Sequence, residues 1–331
     1  MKICIYGAQG HLDSVFAALS AVGEAKVTGI CFEVGENIEW VQNALKSKGQ
    51  DFKLYTAFDE MIEQEKPDIA AISTYPHINA AAINSAIKAG INVFCEKPIA
   101  INMQEFKEIS TSIKKSDVKL YSMMTERFDA PFHTAYAALA KGCVGTLRLI
   151  DARKSYKLGT RPDYYKSRKT YAGTLAWVGI HAIDRIYHAA QKKFKMVFAR
   201  SSNGHNNGHG DLETTAVCSF EMDGDILASF TCDYYRPNSA LTHGDDRLRV
   251  VGTHGILEVV GGAVRLMNKD GEALLSLIRA PQIFEEFIEY IKTGKSEYLT
   301  TEDCLYTTYA ALKTTMSSER KQTMFFDEVN E

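Results

Sequence analysis

From its first residue the chain alternates short apolar runs with helical segments, and this rhythm limits its fold more than any other feature. Lys2-Ile-Cys-Ile-Tyr6 reads as a strand and Gly7-Ala-Gln-Gly10-His11 as a glycine-containing turn. Asp13 to Val22 reads as a helix, with Asp or Ser at its start and Gly23 at its end. A second apolar strand covers Val27 to Phe32. The helix after it, Ile38 to Lys48, is stopped by Gly49 and carries Ile38, Val41 and Leu45 on one face. Phe52 to Tyr55, a helix through Met61 and Ile62, the strand Asp68 to Ser73, the helix Asn79 to Ala89 and the strand Ile91 to Phe94 continue the pattern. Near-continuous apolar strands separated by helices predict a parallel sheet covered on both faces. A Gly turn after the first strand sets a helix N-terminus beneath it, which is suited to an anion. The first half therefore predicts a doubly wound, nucleotide-binding sheet of the Rossmann kind.

Beyond Tyr121 the pattern changes. A helix from Pro131 to Lys141 leads into the alternating strand Thr146 to Arg153, and further strands follow at 196–200, 214–221, 226–232, 248–252, 256–260 and 263–267. Their alternation and the turn signals Asp223-Gly224 and Gly261-Gly262 predict an open, mostly antiparallel sheet with helices on one face. The expected division is a dinucleotide domain over 1–122 and a second, open-sheet domain over 123–331. Helices at 281–293 and about 302–318 close the chain.

Lys97 stands out chemically. Cys95-Glu96-Lys97-Pro98 follows the apolar strand ending at Phe94 and so places a lysine at the carboxyl end of a buried parallel strand, where ligands bind in open α/β sheets. Pro98 restrains the backbone before it, and an ammonium group in a partly desolvated cleft can exchange a proton near neutrality. Standing alone, Glu-Lys-Pro is more often a surface lysine in a strand-to-helix turn. His181, flanked by Ile180, Ala182 and Ile183, is on its own more often a satisfied interior histidine than an acid or base. Asp184 lies one helical turn on, where it can fix an imidazole tautomer, meet a substrate or bond at a helix–sheet junction.

Taken together, Thr74-Tyr-Pro-His-Ile-Asn79, Cys95-Glu-Lys-Pro98, Glu126-Arg127-Phe128 and Gly179-Ile-His-Ala-Ile-Asp184 resemble the motifs of the glucose-fructose oxidoreductase / inositol dehydrogenase / MocA family, in order and along most of the chain. The resemblance implies a two-domain NAD- or NADP-dependent dehydrogenase with Lys97 and His181 catalytic and a Lys-Pro bond that is often cis. It assigns substrate binding and oligomerisation to the second domain, 123–331, and implies that the last helix packs against the nucleotide domain. It also implies a cofactor site formed by Gly7, Gln9, Gly10, His11, Glu33, Thr74, Tyr75, Pro76, Asn79, Glu96 and Lys97. Asp184, Trp177, Arg127, Tyr156 and Tyr235 are the expected substrate contacts.

Two departures qualify the match. In the G-x-G-x-x-G fingerprint the second and third positions are Gln9 and Leu12, so phosphate contact shifts to Gly10 and His11, and Asp13 adds a repelling charge while capping the helix. Glu33 is the nearest carboxylate to the ribose position and slightly favours NAD; it is equally a solvated loop residue. Inositol-type members carry an Asp four residues before the histidine, where this chain has Trp177, whose indole can donate a hydrogen bond or stack on a sugar.

The expected reaction is hydride transfer between NAD(P) and a sugar, cyclitol or related polyol. The alternative is a non-catalytic dinucleotide or metabolite sensor on the same fold. A cofactor held tightly and recycled within the site is a third possibility. The net charge of −3 gives no electrostatic case for nucleic acid. Seven cysteines without a C-x-x-C pair suit a reducing compartment. With no signal peptide and no spanning apolar run, the expectation is a cytoplasmic homodimer or homotetramer, paired through the second sheet and free of membrane. His205, His209 and Asp211 lie on a Gly-rich loop that lacks helical ligand spacing, and no metal is expected.

Overall fold

The computed structural model describes residues 1–19, 23 and 25–326. They form two compact units: 1–125 with 281–308, and 126–280 with the remainder. The first unit is built on six parallel strands, β1 (Lys2–Tyr6), β2 (Lys26–Cys31), β3 (Lys53–Tyr55), β4 (Ile69–Ile72), β5 (Asn92–Cys95) and β6 (Leu120–Ser122). Their spatial order is β3-β2-β1-β4-β5-β6. The order reverses between β1 and β4, so the crevice at their carboxyl ends is the topological switch point where ligands bind. Ile3, Ile5, Ile69, Ile72, Val93 and Phe94 are fully buried, as strands covered on both faces require. Phe94 meets Phe284 edge-on at 4.9 Å, on the helix Ile283–Thr293, and burying such a ring stabilises by roughly 1.5–3 kcal/mol.

One boundary moves in a way that matters for the site. The helix expected from Asn79 begins at Pro76 and runs to Lys88. Proline at the first helical position lacks only an amide that would be unpaired there and brings its φ preset. Asn79 therefore lies in the first turn of a helix. The helix Asp13–Leu19 carries Asp13 as its first helical residue and not as its cap, and its expected end at Val22 lies outside the described residues.

The second unit holds nine strands: β7 (Leu147–Tyr156), β8 (Phe194–Ser202), β9 (Thr215–Met222), β10 (Ile226–Asp233), β11 (Gly244–Gly252), β12 (Gly255–Val260), β13 (Ala263–Asn268), β14 (Gly271–Leu274) and β15 (Met324–Phe325). They order as β14-β13-β12-β11-β7-β10-β9-β8-β15, antiparallel except for β7 beside β10. Alternation found seven of these strands. It missed β14, whose four residues are all exposed and carry no period, and β15, which is two residues long. The helices Ala130–Ala140 and Gly179–Ala190 pack on one face, against β12 and β13 and against β7 and β10. On the other face Leu149, Phe198, Val217 and Leu227 are exposed, with Leu149 and Leu227 paired across β7 and β10. Among the described residues no helix is long and apolar enough to cross a membrane.

Candidate active site

In the first unit the polar residues gather where β1, β2, β4 and β5 end. The turn after β1 needs its glycines for packing. Gly7 has φ +94°, and a Cβ there would sit 2.4 Å from the Ser73 carbonyl oxygen. Gly10 has φ +59°, and its Cβ would fall 1.9 Å from Glu96 Oε2. Gly7 therefore excludes a side chain against fixed backbone, and a side chain at Gly10 would have to displace the Glu96 carboxylate. The turn's amides are largely taken within the protein. Gln9 N–H donates to Ser73 O at 2.7 Å and Ala8 N–H to Glu36 Oε1 at 3.2 Å. His11 gives its amide to Glu96 Oε2 at 2.7 Å and places Nδ1 2.9 Å from the same oxygen.

Glu96 is fully buried. Its Oε1 accepts the Lys97 amide at 3.0 Å and lies 3.8 Å from Lys97 Nζ. Burial pushes the Glu96 carboxyl up, but His11 and Lys97 more than offset this and hold it at about 2. Lys97 is itself buried, at 3 % exposure, and the Lys97–Pro98 bond is cis, as the family resemblance implied. Glu33, beyond β2, accepts from the Tyr6 hydroxyl and gives its amide to Glu36 Oε2 at 2.9 Å. Burial raises the Glu36 carboxyl above its ordinary value.

A dinucleotide fits this unit on one structural ground. Thr74 and Asn79 are fully buried beside the switch point, yet Thr74 Oγ1 and both side-chain polar atoms of Asn79 have no hydrogen-bond partner among the described residues. Buried polar groups are rarely left so. Between them, Tyr75 caps the helix in extended conformation and Pro76 begins it.

The second unit gathers a separate set of charges. Arg127 and Asp184 form a buried two-pronged pair, Nε to Oδ2 at 2.8 Å and Nη2 to Oδ1 at 2.7 Å. Beside it Glu126 accepts from Lys154 and Arg185, and its Oε2 lies 3.8 Å from His181 Nδ1. Asp246 Oδ1 completes the cluster, 3.1 Å from Lys154 Nζ and 3.3 Å from Arg185 Nη2. Burial acts to raise the Glu126 carboxyl, and Arg185, His181 and Lys154 together hold it well below the usual carboxylate range. Lys154 Nζ also lies 4.8 Å from the Tyr156 ring centre, a cation–π contact.

Two expected contacts take different surroundings. Trp177 does not share the His181 helix: it closes the short helix Thr174–Trp177, and Val178 intervenes before Gly179. Its indole is buried edge-on against Tyr164 and Tyr165 at 6.4 and 6.0 Å. Tyr235 is half exposed, and its hydroxyl ties down the loop between β8 and β9, donating to Gly204 O at 2.6 Å with Thr214 Oγ1 3.1 Å away. That loop is braced internally by Asn206, which donates to Gly210 O at 2.9 Å, and among the described residues no cluster of three His, Cys, Asp or Glu could hold a metal.

Sequence reading missed Glu36, Lys154 and Arg185, took Glu126 only as part of a motif, and took Asp246 only as the end of the polar segment 242–246. Two signals were available. Lys154 is in phase with Ile150 and Ala152 on an alternating strand, which places it on the buried face. Arg185 lies one turn after His181 and shares its helix face.

The comparisons agree with this architecture. Residues 1–124 match the model described as "Oxidoreductase family, NAD-binding Rossmann fold", and residues 132–258 match the GFO/IDH/MocA C-terminal domain. The myo-inositol 2-dehydrogenase of Thermotoga maritima is 25% identical over 99% of both chains. The mouse trans-1,2-dihydrobenzene-1,2-diol dehydrogenase is 26% identical over 58% of this chain, a match spanning 57% of that enzyme. A candidate oxidoreductase from Thermotoga maritima of solved structure superposes with TM-score 0.94 at 40% identity, covering 98% of this chain and 100% of that one. The aldose-aldose oxidoreductase of Caulobacter crescentus, at 18% identity, 98% and 99% coverage and TM-score 0.84, shares the fold. With both of its domains matched in order, the chain is a member of the Gfo/Idh/MocA oxidoreductase family, and its first unit is that family's NAD(P)-binding Rossmann domain.

Proposed function

We infer that the protein is an NAD(P)-dependent dehydrogenase or reductase acting on the hydroxyl/carbonyl pair of a sugar, cyclitol or related polyol. The observation that carries the reading is the buried Lys97 held beside a fully buried Glu96 at the end of β5. Bound nicotinamide supplies or accepts the hydride. Lys97 Nζ orients the substrate hydroxyl, and His181 takes or returns its proton at an imidazole nitrogen, since histidine titrates nearest the working pH. Thr74 and Asn79 offer unpaired groups to the cofactor, and Gly7, Gln9, Gly10, His11, Tyr75 and Pro76 shape the turns around it. Glu33 and Glu36 place two carboxylates after β2, which favours a ribose 2′-hydroxyl over a 2′-phosphate.

Arg127, Asp184, Tyr156, Trp177 and Tyr235 are assigned to the substrate side, the first two as a rigid pair and Trp177 as part of an aromatic wall. On this reading the first unit serves the dinucleotide, and the second serves substrate and self-association. The exposed Leu149, Phe198, Val217 and Leu227 support a homodimer or homotetramer formed on that sheet face. We place the protein in the cytoplasm, consistent with seven free cysteines, six of them buried.

The sensor alternative draws on one observation: Glu36 and Glu96 occupy amides of the β1 turn that a diphosphate would otherwise use. Fluorescence titration with NADH and NADPH, followed by turnover on a polyol panel, separates the two readings. Turnover that falls at least about 100-fold in Lys97→Ala, the scale for a misplaced reacting group, with cofactor binding retained, supports the enzyme. Binding without redox change on any polyol supports the sensor.

A further inference from the structure

We propose that Glu126 is a positioning residue for His181: its carboxylate keeps the proton on Nδ1 and leaves Nε2 to exchange a proton with the substrate. This rests on the enzymatic reading of His181. The position four residues before the histidine holds Trp177, which lies outside the histidine's helix and cannot accept a proton. Glu126 reaches the imidazole from a different element, the 3-10 turn Thr125–Phe128, with Oε2 3.8 Å from Nδ1. That separation is within ion-pair range, and both groups are largely withdrawn from solvent, with side-chain exposures of 4% for His181 and 13% for Glu126. Charges at this depth interact with little screening.

The carboxylate cannot swing away, because Lys154 from β7 and Arg185 from the histidine's own helix both hold it. Asp246 from β11 neutralises the same two cations from the far side, and Asp129, at the start of the next helix, repels the Glu126 charge. The Lys154 and Arg185 cations are balanced by the Glu126 and Asp246 carboxylates, so an imidazolium formed during the reaction would face Glu126 without an excess positive charge opposing it. Asp184, one turn along, presents both oxygens to Arg127. A carboxylate beside Nδ1 of an imidazole both selects the Nδ1–H tautomer and stabilises the protonated form.

The test is nitrogen-15 NMR of histidine-labelled protein, with the His181 signal assigned by its loss in His181→Asn. In the native protein the neutral ring is expected as the Nδ1–H tautomer, and an Nε2–H tautomer would overturn the proposal. In Glu126→Gln the titration midpoint of His181 should fall by about one unit, the usual effect of removing a neighbouring opposite charge. Glu126→Asp should restore part of it, and the corresponding limb of the kcat–pH profile should move with it. An unmoved midpoint in a folded Glu126→Gln protein would also overturn it. Should Glu126→Gln fail to fold, the tautomer in the native protein decides alone. The spectra need no turnover, so an inactive polyol panel would count against the enzymatic reading and not against the coupling of Glu126 to His181.

Discussion

Removing one half of the Arg127–Asp184 pair should cost the second unit far more than removing both. The two side chains are 1% and 4% exposed and meet at 2.7 Å. At an effective dielectric of about 20, unit charges that close attract by about 6 kcal/mol. Desolvation of two buried ions costs several kcal/mol each, so the intact pair contributes little net stability. Asp184→Leu, however, strands the guanidinium and should destabilise by about 3–5 kcal/mol. For a unit of this size that lowers Tm by roughly 6–20 °C. Arg127→Met should cost a similar amount by stranding the carboxylate. The double variant Arg127→Met/Asp184→Leu should recover most of the loss, giving a coupling energy of about 1–3 kcal/mol or more in a double-mutant cycle. Calorimetric unfolding of the four proteins measures this. Additive single losses, or losses below about 0.5 kcal/mol of the kind seen at exposed pairs, would refute the reasoning and return Asp184 to solvent or substrate.

Three further outcomes follow from the first unit. Glu96 is held at about 2, below its ordinary 4.5, so its pairing stabilises the fold above that ordinary value and the contribution is lost as pH falls from about 4.5 towards 2; Glu96→Gln should flatten the acid limb of a Tm–pH curve. Gly10→Ala must clear Glu96 Oε2 from a 1.9 Å overlap and adopt φ +59°; it should lower Tm by several degrees and weaken NADH binding at least tenfold, and a neutral result would show that Glu96 moves freely. NADH should bind more tightly than NADPH, and Glu33→Gln/Glu36→Gln should narrow the ratio by about tenfold, which corresponds to about 1.4 kcal/mol of removed repulsion; fluorescence titration reads both.

The fold was legible because its signals are local. Val41 and Leu45 share a helix face, and Ile69 to Ile72 is an unbroken apolar run; such periods survive whatever the rest of the chain does. Lys97 and His181 were singled out for a different reason, since each lies inside a short motif of fixed spacing. The start of the helix at Pro76 was less clear, because a Thr-Tyr-Pro run suits a loop as well as a helix entry.

The sequence by itself determined the βαβ order, the change to alternating strands after Tyr121 and the chemistry available at Lys97 and His181. Only the tertiary structure decided which charges meet. Glu126, Lys154, Arg185 and Asp246 come from a 3-10 turn, a strand, a helix and another strand, with up to 120 residues between them. It also decided that Gly10 is required by Glu96, 86 positions later. Periodicity reports which face of an element is buried, but a buried charge is stable only beside its counter-charge. That partner is chosen by strand register and helix packing, which no local stretch of sequence encodes.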